Sequence, residues 1–211
     1  MFTLFILNIV RMNSIYRNSS MWEEITSRVQ REKQFWHEIT ESGKRYEGAE
    51  SRFKDLRAEN TVYLYQCVEA TGWPCISKFG TEINEAAYLV ARASIQHPQK
   101  MKYFLAKLSA SVDKQESNPA NLAAFADCVK YYEGKPQICG LFLEWALSGE
   151  LYANVVCVDQ ANIKRKELGF PSIQEAVQAH LKELQSNPGG KPKDIAAHNK
   201  MHREWAKAAG W

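Results

Sequence analysis

Cys75 stands a few residues ahead of an expected helix start, in the stretch Gly72-Trp73-Pro74-Cys75-Ile76-Ser77-Lys78-Phe79-Gly80. A helix N-terminus lowers a thiol pKa and can make cysteine a nucleophile, but such a thiolate also needs a base, ordinarily histidine. His37 and His97 are the candidate bases, and spacing brings neither to the thiol. The competing reading, and the expectation, is that Cys75 packs as a small hydrophobe, as unpaired cysteines commonly do. Near the other end, His198 and His202 lie four apart with Glu204 close by. That spacing puts two imidazoles on one helix face, which a metal can use. Asn199 stands where the zinc-protease pattern has its Glu, and two ligands are too few. A solvated or packed helix face is expected, and no metal is assigned.

Basic residues fall in two places, Lys164-Arg165-Lys166 and the set Lys191, Lys193, Lys200, Arg203 and Lys207, the latter accompanied by Trp205 and Trp211. Cations beside indoles could meet phosphate and bases. Asp194 and Glu204 dilute the charge and the net charge is only +3, so a solubilising face is expected rather than a nucleic-acid surface. The chain carries no P-loop, GxGxxG, GxSxG or HExxH pattern. No cofactor is therefore expected, and the strongest enzyme signatures are missing.

Composition is that of a globular chain, 45% hydrophobic and 24% charged over 211 residues. That length buries a sizeable core without metals or disulfides. The five cysteines, at positions 67, 75, 128, 139 and 157, include no CxxC pair. They read as free thiols in a reducing compartment, hence a cytoplasmic protein without disulfides. The apolar run Phe2–Val10 falls well short of a bilayer span and lacks a basic segment before it, although export is left open by it.

Positioning falls to helices. Trp22, Ile25, Val29, Phe35-Trp36 and Ile39 recur at helical spacing over 21–46, with a break bracketed by Gly43 and Gly48. A second helix runs over 53–71 and stops at Gly72, since glycine takes the left-handed conformation without strain. Thr81 is placed to cap a third helix with a small-residue face of Ala86-Ala87 and Ala91. His97-Pro98 opens a fourth helix, and Ser117-Asn118-Pro119 separates it from a fifth around Leu122–Val129. Residues 137–156 are rich in strand formers and fold back at Ser148-Gly149, predicting a short β-hairpin. Helices follow over 159–168 and after Pro171-Ser172. The segment 186–192 is the clearest linker, and 194–209 forms a terminal helix. The fold class is mainly α with one short hairpin. The expected domains are an extension at 1–20, a mainly helical domain at 21–185, and a linker with terminal helix at 186–211.

These elements carry a resemblance. Gly72-Trp73-Pro74 and Gly80, Ala86-Ala87-Tyr88, Gln96-His97, Asp127, then Gly134, Gln137 and Gly140, and finally Lys164–Gly169 follow in order. The order resembles a bacterial domain family of unknown function, marked by a GWP loop, a Gln-His-Ala-Asp segment, an Asp-Arg pair, a Gly-x-x-Gln-x-Tyr-Gly-Thr-Gln segment and a basic helix. The resemblance covers about 56–181. Pro98-Gln99 replaces Ala-Asp, Cys128 replaces Arg, Cys139 replaces Tyr, and Leu141-Phe142 replaces Thr-Gln, so about half of the polar set is present.

Through that resemblance His97, Asp127 and Gln137 become the candidate catalytic residues. His97 would serve as general base, Asp127 would orient it, and Gln137 would donate a hydrogen bond. The competing reading has His97 and Asp127 satisfying backbone groups at helix ends and Gln137 tying the hairpin to a helix. Two functions are thus expected. The first is a bacterial interaction or regulatory protein, with Trp22, Trp36, Trp73, Trp145, Trp205 and Trp211 as anchors for a protein partner or a second copy. The alternative is a small intracellular hydrolase or transferase with a cleft near His97, Asp127 and Gln137.

Overall fold

The computed structural model describes residues 2–41, 49–186 and 191–211, with side chains over 20–39, 41, 52–185 and 191–211. The glycine-bracketed break at 43–48 and the middle of the 186–192 linker lie outside the described residues. Among the described residues the chain is mainly α, with eight helices and one two-stranded antiparallel hairpin. It divides into two compact units, Met1–Ser117 and Asn118–Trp211. The division falls at the Ser117-Asn118-Pro119 break, and the terminal helix belongs to the second unit rather than standing apart.

The first unit holds α1 (Phe2–Glu41), α2 (Ala49–Thr71), α3 (Ile76–Ala93) and α4 (Pro98–Val112). Helix α1 begins well before the expected start at 21, so the anticipated extension is helical from Phe2. Helices α1, α2 and α3 pack against one another, and α4 packs on α2 and α3. The buried small residues Ala86, Ala87 and Ala91 let α3 come close to its neighbours, while Trp22, Ile25, Leu64, Phe104 and Leu108 are fully enclosed. Each such large side chain contributes about 1.5–3 kcal/mol when removed from water.

The apolar loop has a structural account. Gly72 turns with φ +81, and its N–H donates to Val68 O at 2.9 Å, ending α2. Trp73 and Pro74 are buried. Phe79 lies 5.8 Å from Trp22, ring to ring. Asn84, buried in α3, donates to Pro74 O at 2.7 Å and to Ser117 Oγ at 2.7 Å. The longer helix runs on from Thr81 as its sequence suggests; ahead of it a short helical turn starts at Ile76 and is kinked at Gly80, where φ is 82 and ψ 167. Glu116 sits at that start and accepts from Ser77 N–H (2.9 Å) and Ser77 Oγ (2.6 Å). A carboxylate suits the positive end of a helix, and these bonds hold the Glu116 pKa below its ordinary value.

The second unit holds α5 (Pro119–Tyr132), β1 (Leu143–Trp145), β2 (Leu151–Ala153), α6 (Val158–Glu167), α7 (Ile173–Ser186) and α8 (Ile195–Ala209). Caps define its helices locally. Asn118 accepts from Ala120 N–H at 2.9 Å, and Asp194 from Ala197 N–H at 2.9 Å. Ser172 and Glu175 exchange bonds at the start of α7 in a capping box. The strands pair Leu143 with Ala153, Glu144 with Tyr152 and Trp145 with Leu151. The hairpin is thus shorter than the expected 137–156. Gln137 still donates its N–H to Asn154 O at 2.7 Å and bridges Val155, whereas residues 138–142 form a loop whose backbone groups are held by side chains.

Candidate functional site

Asp127 is fully enclosed on α5. Its Oδ1 accepts from the backbone N–H of Ile138 at 2.7 Å. Its Oδ2 accepts from Cys139 at 3.0 Å and Leu141 at 3.1 Å. Burial pushes this carboxyl up, while the N–H groups of Ile138, Leu141, Cys139 and Gly140 pull it back down. Gln137 is buried beside it, with Nε2 donating to Phe142 O at 2.7 Å and Oε1 accepting from Phe142 N–H at 2.8 Å. From α6, the buried Arg165 donates through Nη1 to Cys139 O and Gly140 O, each at 3.0 Å, and through Nε to Pro171 O. The loop therefore has its N–H groups tied by a carboxylate and its carbonyls by a guanidinium. A buried segment outside any ladder needs such partners. Gly140 completes the arrangement, since a Cβ there would meet Ala153 Cβ at 2.8 Å and Val155 Cγ1 at 2.9 Å.

Asp127 and Gln137 are thus brought to one loop, with their polar atoms bonded to backbone. His97 belongs to the first unit, as the residue preceding α4. Its side chain makes no cap bond, and its Nε2 is buried without a hydrogen-bond partner among the described residues. Burial, then the charge of Lys100, pull the His97 pKa down, favouring neutral imidazole. Cys75 precedes α3, half-buried, with Sγ 3.7 Å from Trp73 O. It packs within its own loop. All five cysteines are free.

The histidines of α8 part company. His198 is exposed, while His202 is half-buried with its ring 5.0 Å from Tyr131 and 5.5 Å from Tyr132. Burial, then His198 and Arg203, lower the His202 pKa. Among the described residues no cluster of His, Cys, Asp or Glu could hold a metal ion. These rings line a cleft of about 380 Å³ formed by the end of α5, the hairpin and α8. Glu144 lies in it, opposite Tyr152 in the hairpin register. Burial raises the Glu144 pKa, and a hydrogen bond from Tyr152 opposes that. The Tyr131 hydroxyl is pushed up to about 12 by burial and then by Glu144. Asn199 fixes α8 to the hairpin by donating to Trp145 O at 2.9 Å.

A second concavity, of about 540 Å³, opens on another part of this unit. Pro136, Ile138, Val155, Val156, Cys157 and Ile163 make its apolar lining, and Lys130, Lys164 and Glu167 its charged rim. Val156 is 85% exposed, Ile163 59% and Ile138 49%.

Arg165 sits between two lysines, a setting in which its sequence resembles surface charge. Its four-residue spacing from buried Ala161 was the available signal. Glu144 and Tyr131 carried no motif. The hairpin register and the end of a helix bring them together only in three dimensions. No helix among the described residues is long and apolar enough to cross a membrane. No family model, curated protein or solved structure matches the chain.

Proposed function

We propose that this chain is an interaction or regulatory protein whose second unit docks an apolar segment of a protein partner. One observation carries the reading. Ile138, Val156 and Ile163 leave much of their aliphatic surface in solvent and open onto a single groove. Isolated exposed aliphatics are ordinary, whereas a contiguous set rimmed by charge is characteristic of interaction sites. Lys130 on the rim favours a partner with an acidic residue flanking its apolar ones, whereas Lys164 is already paired with Glu167 at 2.7 Å. Engagement of Asp127 and Gln137 with backbone also favours this reading over catalysis, because neither offers an uncommitted acceptor for a substrate proton.

A photo-reactive residue placed at Val156 in the full chain tests the proposal in cells. A discrete cross-linked partner, lost when Ile138→Glu and Ile163→Glu are introduced, is the expected result. A protein that remains monomeric by light scattering and cross-links to nothing discrete overturns it.

A further inference from the structure

We propose that the cleft between the end of α5, the hairpin and α8 is a separate binding site for a small anion joined to a flat ring, the chemistry of a nucleoside monophosphate. Its volume of about 380 Å³ falls within the range of about 300–1,000 Å³ usual for small-ligand sites. Anion preference follows from which charges are satisfied. Arg203 and Lys207 line the cleft from the exposed side of α8, and neither forms an ion pair among the described residues. The carboxylates opposite are committed elsewhere. Glu133 pairs with Lys135 at 2.9 Å, and Glu144 shares a hydrogen bond with Tyr152. The cleft is thus left with unmatched cations, which recognise phosphate by charge-assisted hydrogen bonds.

Ring preference follows from the walls. Trp211 stacks on Tyr132 with centroids 5.3 Å apart at 26°, and His202 lies 5.0 Å from Tyr131. These rings are held by one another before any ligand arrives, so stacking a further flat ring costs little ordering. Asn154 and Asn199 also line the cleft, offering amide donors and acceptors to the polar edge of such a ring. A ligand offering both a ring with polar edges and a phosphate would use all of these groups at once.

Adenosine monophosphate titrated into the full chain, read by tryptophan fluorescence and calorimetry, is the test. Saturable binding with Kd of about 10–100 µM is expected, with quenching because Trp145 and Trp211 line the cleft. The double variant Arg203→Gln, Lys207→Gln, at two exposed positions, is expected to raise Kd about tenfold or more. Ile163→Glu, in the other groove, leaves Kd unchanged, which separates this site from the docking groove. Absence of saturation at millimolar nucleotide, or an unaltered Kd in the double variant, overturns the proposal. Inorganic phosphate or adenosine binding as tightly as the nucleotide overturns the requirement for both parts.

Discussion

Gln137 and Phe142 exchange two hydrogen bonds, side-chain amide to backbone, at 2.7 and 2.8 Å. The amide thereby imitates a strand partner where the hairpin has no ladder. Gln137→Ala removes both bonds and leaves the Phe142 N–H and C=O unpaired, at a cost of about 1–3 kcal/mol. Gln137→Glu is expected to cost at least as much, because an acceptor then faces the Phe142 carbonyl. Urea denaturation, followed by circular dichroism, measures both.

Gly140 differs from the other left-handed glycines. With φ +65 and neighbours at 2.8 and 2.9 Å, Gly140→Ala meets both backbone strain and a collision with the strand behind it. A loss of about 2–4 kcal/mol is expected. Gly169, at φ +77 with nothing within 4 Å, supplies the control. Gly169→Ala carries only the left-handed penalty of about 1–2 kcal/mol. Equal effects in thermal unfolding would refute the packing argument.

Arg165→Lys tests whether the buried cation acts as a fork. Lysine keeps the charge but cannot reach Cys139 O, Gly140 O and Pro171 O from one planar group. A loss of about 3 kcal/mol is expected as carbonyls go unpaired. Lys164→Gln and Lys166→Gln, at exposed neighbours, are expected to stay within about 0.5 kcal/mol. A chemical-denaturation series on the three variants separates the outcomes.

How far the sequence disclosed this arrangement depends on how local each interaction is. Pro98, Asn118, Asp194 and Gly72 act within a turn or two of their own positions, so their helix boundaries were readable. Helix α1 continues back to Phe2, because an apolar run without clear periodicity conceals a helix. The loop at 137–142 is rich in strand-forming side chains, which by themselves predict strand. Its N–H groups are taken by Asp127, more than ten residues earlier, and its carbonyls by Arg165, more than twenty later. Of the candidate trio, Asp127 and Gln137 do anchor backbone, but Asp127 holds the 138–141 loop rather than a helix end, and Gln137 holds Phe142 rather than a helix.

pH dependence has a definite sign. His202 has a folded pKa below its ordinary 6.5, so the unfolded chain binds the proton more readily. Its contribution is intact above about 6.5 and is lost as pH falls toward the folded value. Glu144 runs oppositely. Its folded pKa lies above the ordinary 4.5, so stability is regained as pH falls through the folded pKa toward 4.5. His202→Phe retains a ring against Tyr131 and removes the titration. The expected result is a flatter stability profile just below pH 6.5, measured by urea midpoints across the pH series.

Asp127, Gln137, Gly140 and Arg165 form a closed set of dependencies, since each satisfies or makes room for backbone that another also holds. Divergence at such a place cannot proceed one residue at a time without an unstable intermediate. Surrounding positions such as Cys139, which lends its N–H and C=O, and Leu141, which lends its N–H, enter these bonds through backbone alone. In a lineage of related chains the four should therefore be inherited or lost together, while the side chains between them drift.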